Sequence, residues 1–293
     1  MNRFLAPFVA GTLMLSAVAA YADPLNVLWY TGGTEPTSPP GGTYEANITS
    51  SLAMPGTGDP SSTNWNITFW QGGAVPAGTF NVLVVPSLIG PWSPGPNYTA
   101  LNAALPTLTF GNRELVSGQD ADWHVQNTPG ATNFNGPRGF LRDAINWAGS
   151  GTGLGLVAMG DFAGLGLTGL GSLVSGSGSF VTNNVVIPAA FASFPINTNL
   201  TTAGLSNWND SAHTGWTGSD TSLWTGINID GDAPCPSPPD STCHFVTLVT
   251  ASEAGGGIGT VPLPAALPLF ATGLGALGLL GWRRKKKAAA LAA

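Results

Sequence analysis

Three short runs, LNVLWY at 25–30, FNVLVVPS at 80–87 and GLGLVAMGD at 153–161, are apolar at nearly every successive position. Neighbouring side chains on a strand point to opposite faces, so a run of this kind is a strand only where both faces of its sheet are covered. Strands alternating with helices build such a sheet, and helix-compatible segments lie between these runs. Residues 44–52 and 98–105 suit two short helices. The strongest helical signal is GPRGFLRDAINWAGSG at 136–151. There Phe140, Leu141, Ala144, Ile145 and Ala148 recur at helical spacing, Pro137 stands near the start and Gly149 near the end. Alternation at Trp65, Ile67 and Phe69 adds a strand, RELVSGQD at 113–120 adds another that runs into a polar loop, and 185–187 and 245–250 add two more. The pattern predicts an α/β domain, a mostly parallel sheet flanked by helices and joined by Gly- and Trp-rich loops.

The two ends follow a different logic. Arg3, the apolar run 4–20 and the Ala20-Tyr21-Ala22 site before Asp23 describe a secretory signal peptide over 1–22. The predicted secreted domain spans 23–252, and EAGGGIGT supplies a Gly-rich tether over 253–260. Between Asp23 and Thr260 the only basic residues are Arg113, Arg138 and Arg142, against all fifteen acidic residues of the chain, a formal charge of −12 for the body. That balance argues against a nucleic-acid partner, whose phosphates are held by Lys and Arg. Export also frames the only two cysteines, Cys235 and Cys243, eight apart in CPSPPDSTC. An even pair in an exported chain most simply closes a disulfide. With His244 it falls short of the four ligands of a structural zinc site.

Lysine is absent before Lys285, and five basic residues, Arg283, Arg284, Lys285, Lys286 and Lys287, then stand together. They follow eighteen uncharged residues, 265–282, which as a helix span about 27 Å, enough to cross a hydrocarbon core. The cations mark the cytoplasmic side and put the body outside. With Val261, Pro262, Leu263, Pro264 and Ala265 in front, the segment 261–287 resembles the VPLPA type of the PEP-CTERM sorting signals of Gram-negative bacteria; 288–293 form a tail. The resemblance implies Sec export, a transient anchor in the inner membrane, processing by an exosortase-type protease and a final place at the cell surface or outside the cell. The motif here reads VPLP where VPEP is commoner.

The succession LNVLWYTGG, FNVLVVPS, RELVSGQDADWH and GFLRDAINWAGSGTGLGLVAMGD resembles the class I glutamine amidotransferase-like (ThuA-like) group over about half the chain, which implies a flavodoxin-like fold. Members that use a thiol nucleophile carry a cysteine on a strand-to-helix turn. This chain has no cysteine before Cys235, so thiol-dependent amide hydrolysis is not expected.

SGQDADWH places Asp120, Asp122 and His124 at the C-terminal end of a strand, the edge where open α/β sheets hold ligands. On an extended segment alternate side chains point one way, so the three could meet as acid, base or metal ligands; a solvated turn is the plainer reading. Arg138 either holds an anion or pairs with one of these aspartates, and Asp161 either joins the site or caps a turn. His213 in NWNDSAHTGW is either a further site residue or a structural histidine. Ser87 and Ser117 follow strands but lie in no G-x-S-x-G elbow. GLGLTG at 164–169 lacks the helix and acidic partner of a dinucleotide site, and GLGALG at 273–278 reflects composition alone. Asp230 and Asp232 in NIDGDAP suit a divalent cation without the full calcium-loop pattern. Otherwise no cofactor is expected. Trp92, Trp123, Trp208, Trp216 and Trp224 either stack on sugars or fill the core.

These features predict an exported, surface-sorted bacterial protein of the cell envelope or extracellular matrix. Its body is expected to be a non-catalytic binding or structural domain associated with exopolysaccharide. The alternative is a hydrolase or other carbohydrate-active enzyme using the Asp120/Asp122/His124 loop. The mature chain is expected to lack both 1–22 and 283–293, which the intact mass of protein from the extracellular fraction measures directly.

Overall fold

Five strands form the parallel half of the sheet in the computed structural model: β1 (Leu25–Tyr30), β2 (Trp65–Trp70), β3 (Val82–Val85), β4 (Phe110–Ser117) and β5 (Leu154–Met159). The structure describes residues 24–32, 43–53, 65–87, 98–127, 136–160, 177–208, 211–217, 222–237, 239–240 and 242–254, and Pro24–Gly259 is one compact unit. The expected signal peptide, sorting signal and membrane helix lie outside the described residues, as do Asp161, Trp92 and 164–169. Among the described residues no helix is long and apolar enough to cross a membrane.

The parallel strands lie in the order β2-β1-β3-β5-β4. This begins as the flavodoxin order 2-1-3-4-5 and exchanges its last two places. Strand β4 takes the outer place because its far edge pairs with the antiparallel β10 (Phe245–Thr250), through Thr247↔Ser117, Leu248↔Val116 and Val249↔Leu115.

Both faces of the parallel half are apolar, as the continuous runs require. Val27, Trp29, Val82, Val84, Leu115 and Val157 belong to the cluster completed by α1 (Tyr44–Ala53) and α4 (Pro137–Gly149), through Ile48, Leu52, Phe140, Leu141 and Ile145. Leu28, Tyr30, Leu83, Val85, Val116 and Leu156 cluster on the other face with Tyr98 and Leu101 of α2 (Tyr98–Ala104). Each fully buried side chain of this size stabilises the fold by about 1.5–3 kcal/mol. Helix α1 follows β1 on one face and α2 follows β3 on the other. The cover therefore changes sides between neighbouring strands β1 and β3, the place in open α/β sheets where ligands are usually held.

The remaining strands were not all legible. Besides β7 (Val185–Val186) and β10, the structure adds β6 (Ser177–Thr182), β8 (Ala212–Trp216) and β9 (Trp224–Asp230). Strand β9 pairs antiparallel with β10 and β7, and β6 pairs antiparallel with β8. The mostly parallel sheet thus carries an antiparallel extension. Two short helices, α5 (Thr202–Leu205) and α6 (Ala251–Ala254), complete it, together with α3 (Ala121–Asn127). Helix α6 carries the body two residues past the boundary expected at 252. Its Glu253 receives Arg113 Nε at 3.1 Å and Asn112 Nδ2 at 2.7 Å, while Arg113 also donates to the carbonyl of Trp147 and to Ser150 Oγ. Cys235 and Cys243 are joined in the expected disulfide, with Cys243 buried in the α2-side core.

Beyond β4 the chain runs on through Gly118, whose N–H donates to Val246 O at 2.9 Å and whose C=O accepts from His213 N at 2.8 Å. Gln119 then bridges Ala212. A Cβ at position 118 would fall on the Thr214 carbonyl. The Gly118→Ala variant is expected to lose at least about 2 kcal/mol of stability, since overpacking against backbone leaves nothing free to move aside; the midpoint of urea unfolding measures it.

Candidate functional site

Asp120 closes the extension of β4 and starts α3, where His124 N–H donates to the Asp120 carbonyl at 3.3 Å. This local geometry corrects the expectation of an extended loop. In a helix, residues four apart share a face and residues two apart do not. Asp120 and His124 therefore meet, with Nε2 3.3 Å from Oδ1, while Asp122 turns away. From β8, held to Gly118 by its backbone, His213 brings its Nε2 to 3.4 Å from the other oxygen of Asp120. One carboxylate is thus flanked by two imidazoles from distant parts of the chain. Asp120 is only 1 % exposed, whereas the His124 and His213 side chains are 21 % and 20 % exposed. Burial works to raise the Asp120 pKa, but the hydrogen bonds and charge of the two imidazoles outweigh it and hold the carboxyl below its ordinary value.

Trp208 lies beside this group, its ring centroid 5.5 Å from that of His124. Its indole N–H donates to Gly204 O at 2.7 Å and its backbone N–H to Ser211 Oγ at 3.0 Å, so ring and main chain are each fastened, and the part-buried ring packs against the core. The preceding Asn207 has φ of 63°, the left-handed region that side chains other than glycine enter at a cost.

Asp122 lies in a buried network behind the imidazole pair. Ser87 N–H donates to its Oδ1 at 3.0 Å, Tyr44 Oη–H to its Oδ2 at 3.1 Å, and Trp29 Nε1–H to Tyr44 Oη at 3.1 Å. Burial pushes the Asp122 carboxyl up to about 6; donors on Ser87 and Tyr44 act against this, and the charge of Asp120 adds to it. Burial, then the charge of Asp122, raises the Tyr44 phenol. The sequence contained no sign of this network, because its members come from four segments that only the sheet edge assembles.

The other candidates fall elsewhere. Arg138 is buried on α4. Ser87 is fully buried, and the hydroxyl of Ser117 is paired with Thr247 Oγ1 at 2.9 Å, so neither presents a nucleophile. Asp230 Oδ1 accepts from Asp232 N–H at 3.0 Å, and the Asp232 carboxylate accepts from Thr182 Oγ1 and Asn184 Nδ2, which makes the pair a turn fastening. Trp216 and Trp224 are core residues. Among the described residues no group of three or more His, Cys, Asp or Glu has metal-holding geometry. In the Asp120 cluster the two Nε2 atoms lie nearest different carboxylate oxygens, at 3.3 and 3.4 Å.

The arrangement places two part-exposed imidazoles, each able to donate and accept hydrogen bonds, beside a buried carboxylate and an aromatic ring. Comparison with family models, with curated proteins and with solved structures finds no match for this chain.

Because the folded-state pKa of Asp122 lies above its ordinary value, the neutral form is favoured in the fold. That contribution is complete below the unfolded pKa and is lost as pH rises through about 6. Relative to Asp122→Asn, the natural protein is expected to lose about 2 kcal/mol of stability between pH 4 and pH 8, at 1.36 kcal/mol per pKa unit with part of the shift already spent below pH 4. Urea unfolding of both proteins across that range measures the difference. Other buried acids, Asp143 among them, titrate in both and cancel.

Proposed function

We propose that this chain is an exported protein of the bacterial envelope or extracellular matrix, whose α/β body binds polysaccharide at the C-terminal edge of the sheet. The supports for its address are the A-x-A site, the apolar segment ahead of five cations and the VPLPA motif. On this reading the chain passes the Sec machinery, is held in the inner membrane and is processed by an exosortase-type protease. The flavodoxin-like, ThuA-like kinship of the body belongs to the same proposal, with the exchange of β4 and β5 as a departure from the flavodoxin order.

The observation that carries the binding reading is Trp208, held rigidly at the sheet edge against His124 and next to the Asp120-bridged imidazoles. A fixed aromatic face stacks on a sugar ring at little entropic cost, and flanking polar groups select its hydroxyls or charge. The shared carboxylate favours one further reading, a hydrolase in which one imidazole donates a proton and the other accepts one.

The binding reading expects millimolar or tighter retention of at least one glycan from a panel, weakened about tenfold by Trp208→Ala, equal to about 1.4 kcal/mol. Retention of none removes the polysaccharide assignment. Release of reducing ends by the natural protein but not by His213→Gln would establish the enzymatic reading.

A further inference from the structure

We infer that Asn207 is a specificity-determining residue of the candidate site, its side-chain amide taking two neighbouring hydroxyls of an uncharged sugar stacked on Trp208. The inference rests on the polysaccharide reading above and deepens it by naming a second ligand contact and the class of sugar it selects.

Asn207 has φ of 63°, and all the other described residues with positive φ, Gly32, Gly153 and Gly160 among them, are glycines. A chain with 41 glycines thus uses the residue without a side chain wherever its described backbone takes this conformation, except immediately before Trp208. Asparagine enters the left-handed region more readily than most residues because its short side chain can hydrogen-bond locally. Here that local reason is absent. The described hydrogen bonding of Asn207 is its backbone N–H donating to Asn183 O at 2.8 Å, and its side chain is exposed. One carbonyl acceptor and two N–H donors are thereby open to a group that approaches from solvent.

The backbone conformation is imposed from both sides. Before Asn207, the buried Ser206 accepts from Val185 N–H at 3.0 Å and donates to Thr202 O at 2.7 Å. After it, Trp208 is fastened to Gly204 and Ser211, and Ser211 N–H donates to Asn183 Oδ1 at 3.0 Å. Asn183 therefore carries both ends of the turn, through its carbonyl and its side chain. A position so over-determined keeps a costly φ without help from its own side chain. These bonds account for the turn; they do not account for the amide.

An amide beside an indole suits a neutral polyol. Its carbonyl accepts from one hydroxyl while its NH2 donates to the next, and the ring stacks on the apolar face of the sugar. An amide carries no charge with which to select an acidic sugar, and the strongly acidic body opposes one.

Isothermal titration of the exported protein with cellohexaose, mannohexaose and xylohexaose tests this. At least one is expected to bind, and Asn207→Gly to weaken it about tenfold, as two hydrogen bonds of ordinary strength give. Glycine takes the same φ freely, so the urea midpoint of this variant is expected to be unchanged or raised. Asn207→Asp keeps the acceptor without the donors and is expected to fall between the two proteins in affinity. Unchanged affinity in Asn207→Gly, a loss accompanied by a lowered urea midpoint, or binding that Trp208→Ala leaves intact would overturn the inference while leaving sugar binding in place. Failure of all three hexamers to bind would take the polysaccharide reading down with it.

Discussion

The pairing of β4 with β10, carried on by two backbone hydrogen bonds at Gly118, joins the parallel and antiparallel halves of this sheet. The Gly118 N–H reaches Val246 and its carbonyl takes the N–H of His213, so one residue without a side chain sits at the seam where β4, β10 and β8 meet. The seam sets the distance between Asp120, two residues downstream, and His213, which arrives from the far side of the sequence. No helix, turn or disulfide brings these two groups together. Geometry that a site needs to within about half an ångström is supplied by strand pairing, the most rigid scaffold available to it.

Two aspartates separated by one residue end in opposite electrostatic conditions. Asp120 lies between imidazoles that favour its ionised form; Asp122 lies among the apolar residues of the α1 side, where few donors compensate its burial. The divergence follows from one turn of helix, which sends alternate side chains to different faces. Environments that separate the protonation of neighbouring acids are the usual means by which a fold runs donor and acceptor chemistry side by side.

That turn of helix is also what the sequence hid. ADWHVQN is short, carries a polar majority, and has only Ala121 and Val125 at helical spacing to announce its buried face. By contrast β1, β3 and β5 were legible because they are covered on both sides, and α4 because a long apolar stripe begins at proline and ends at glycine. Strand β8 is AHTGW, buried at four of five positions yet without apolar alternation, since its neighbours on both sides satisfy its backbone and ask little hydrophobicity of its side chains. Half of the site was visible as Asp120 and His124, with His213 a lone candidate. Its convergence, and the Trp29–Tyr44–Asp122–Ser87 network behind it, arise from long-range pairing that no local pattern encodes.

The contact of Arg113 and Asn112 with Glu253 has a mechanical consequence. It fastens the end of the body to the start of β4, directly after β10, a strand bonded along both edges, to β4 and to β9. Tension on the chain beyond Ala254 meets this clasp first and then pulls β10 along its own length. Strands loaded in that direction strain their ladder bonds together instead of parting them one by one. The domain is therefore built to resist a pull from its C-terminal side, whichever surface supplies the force.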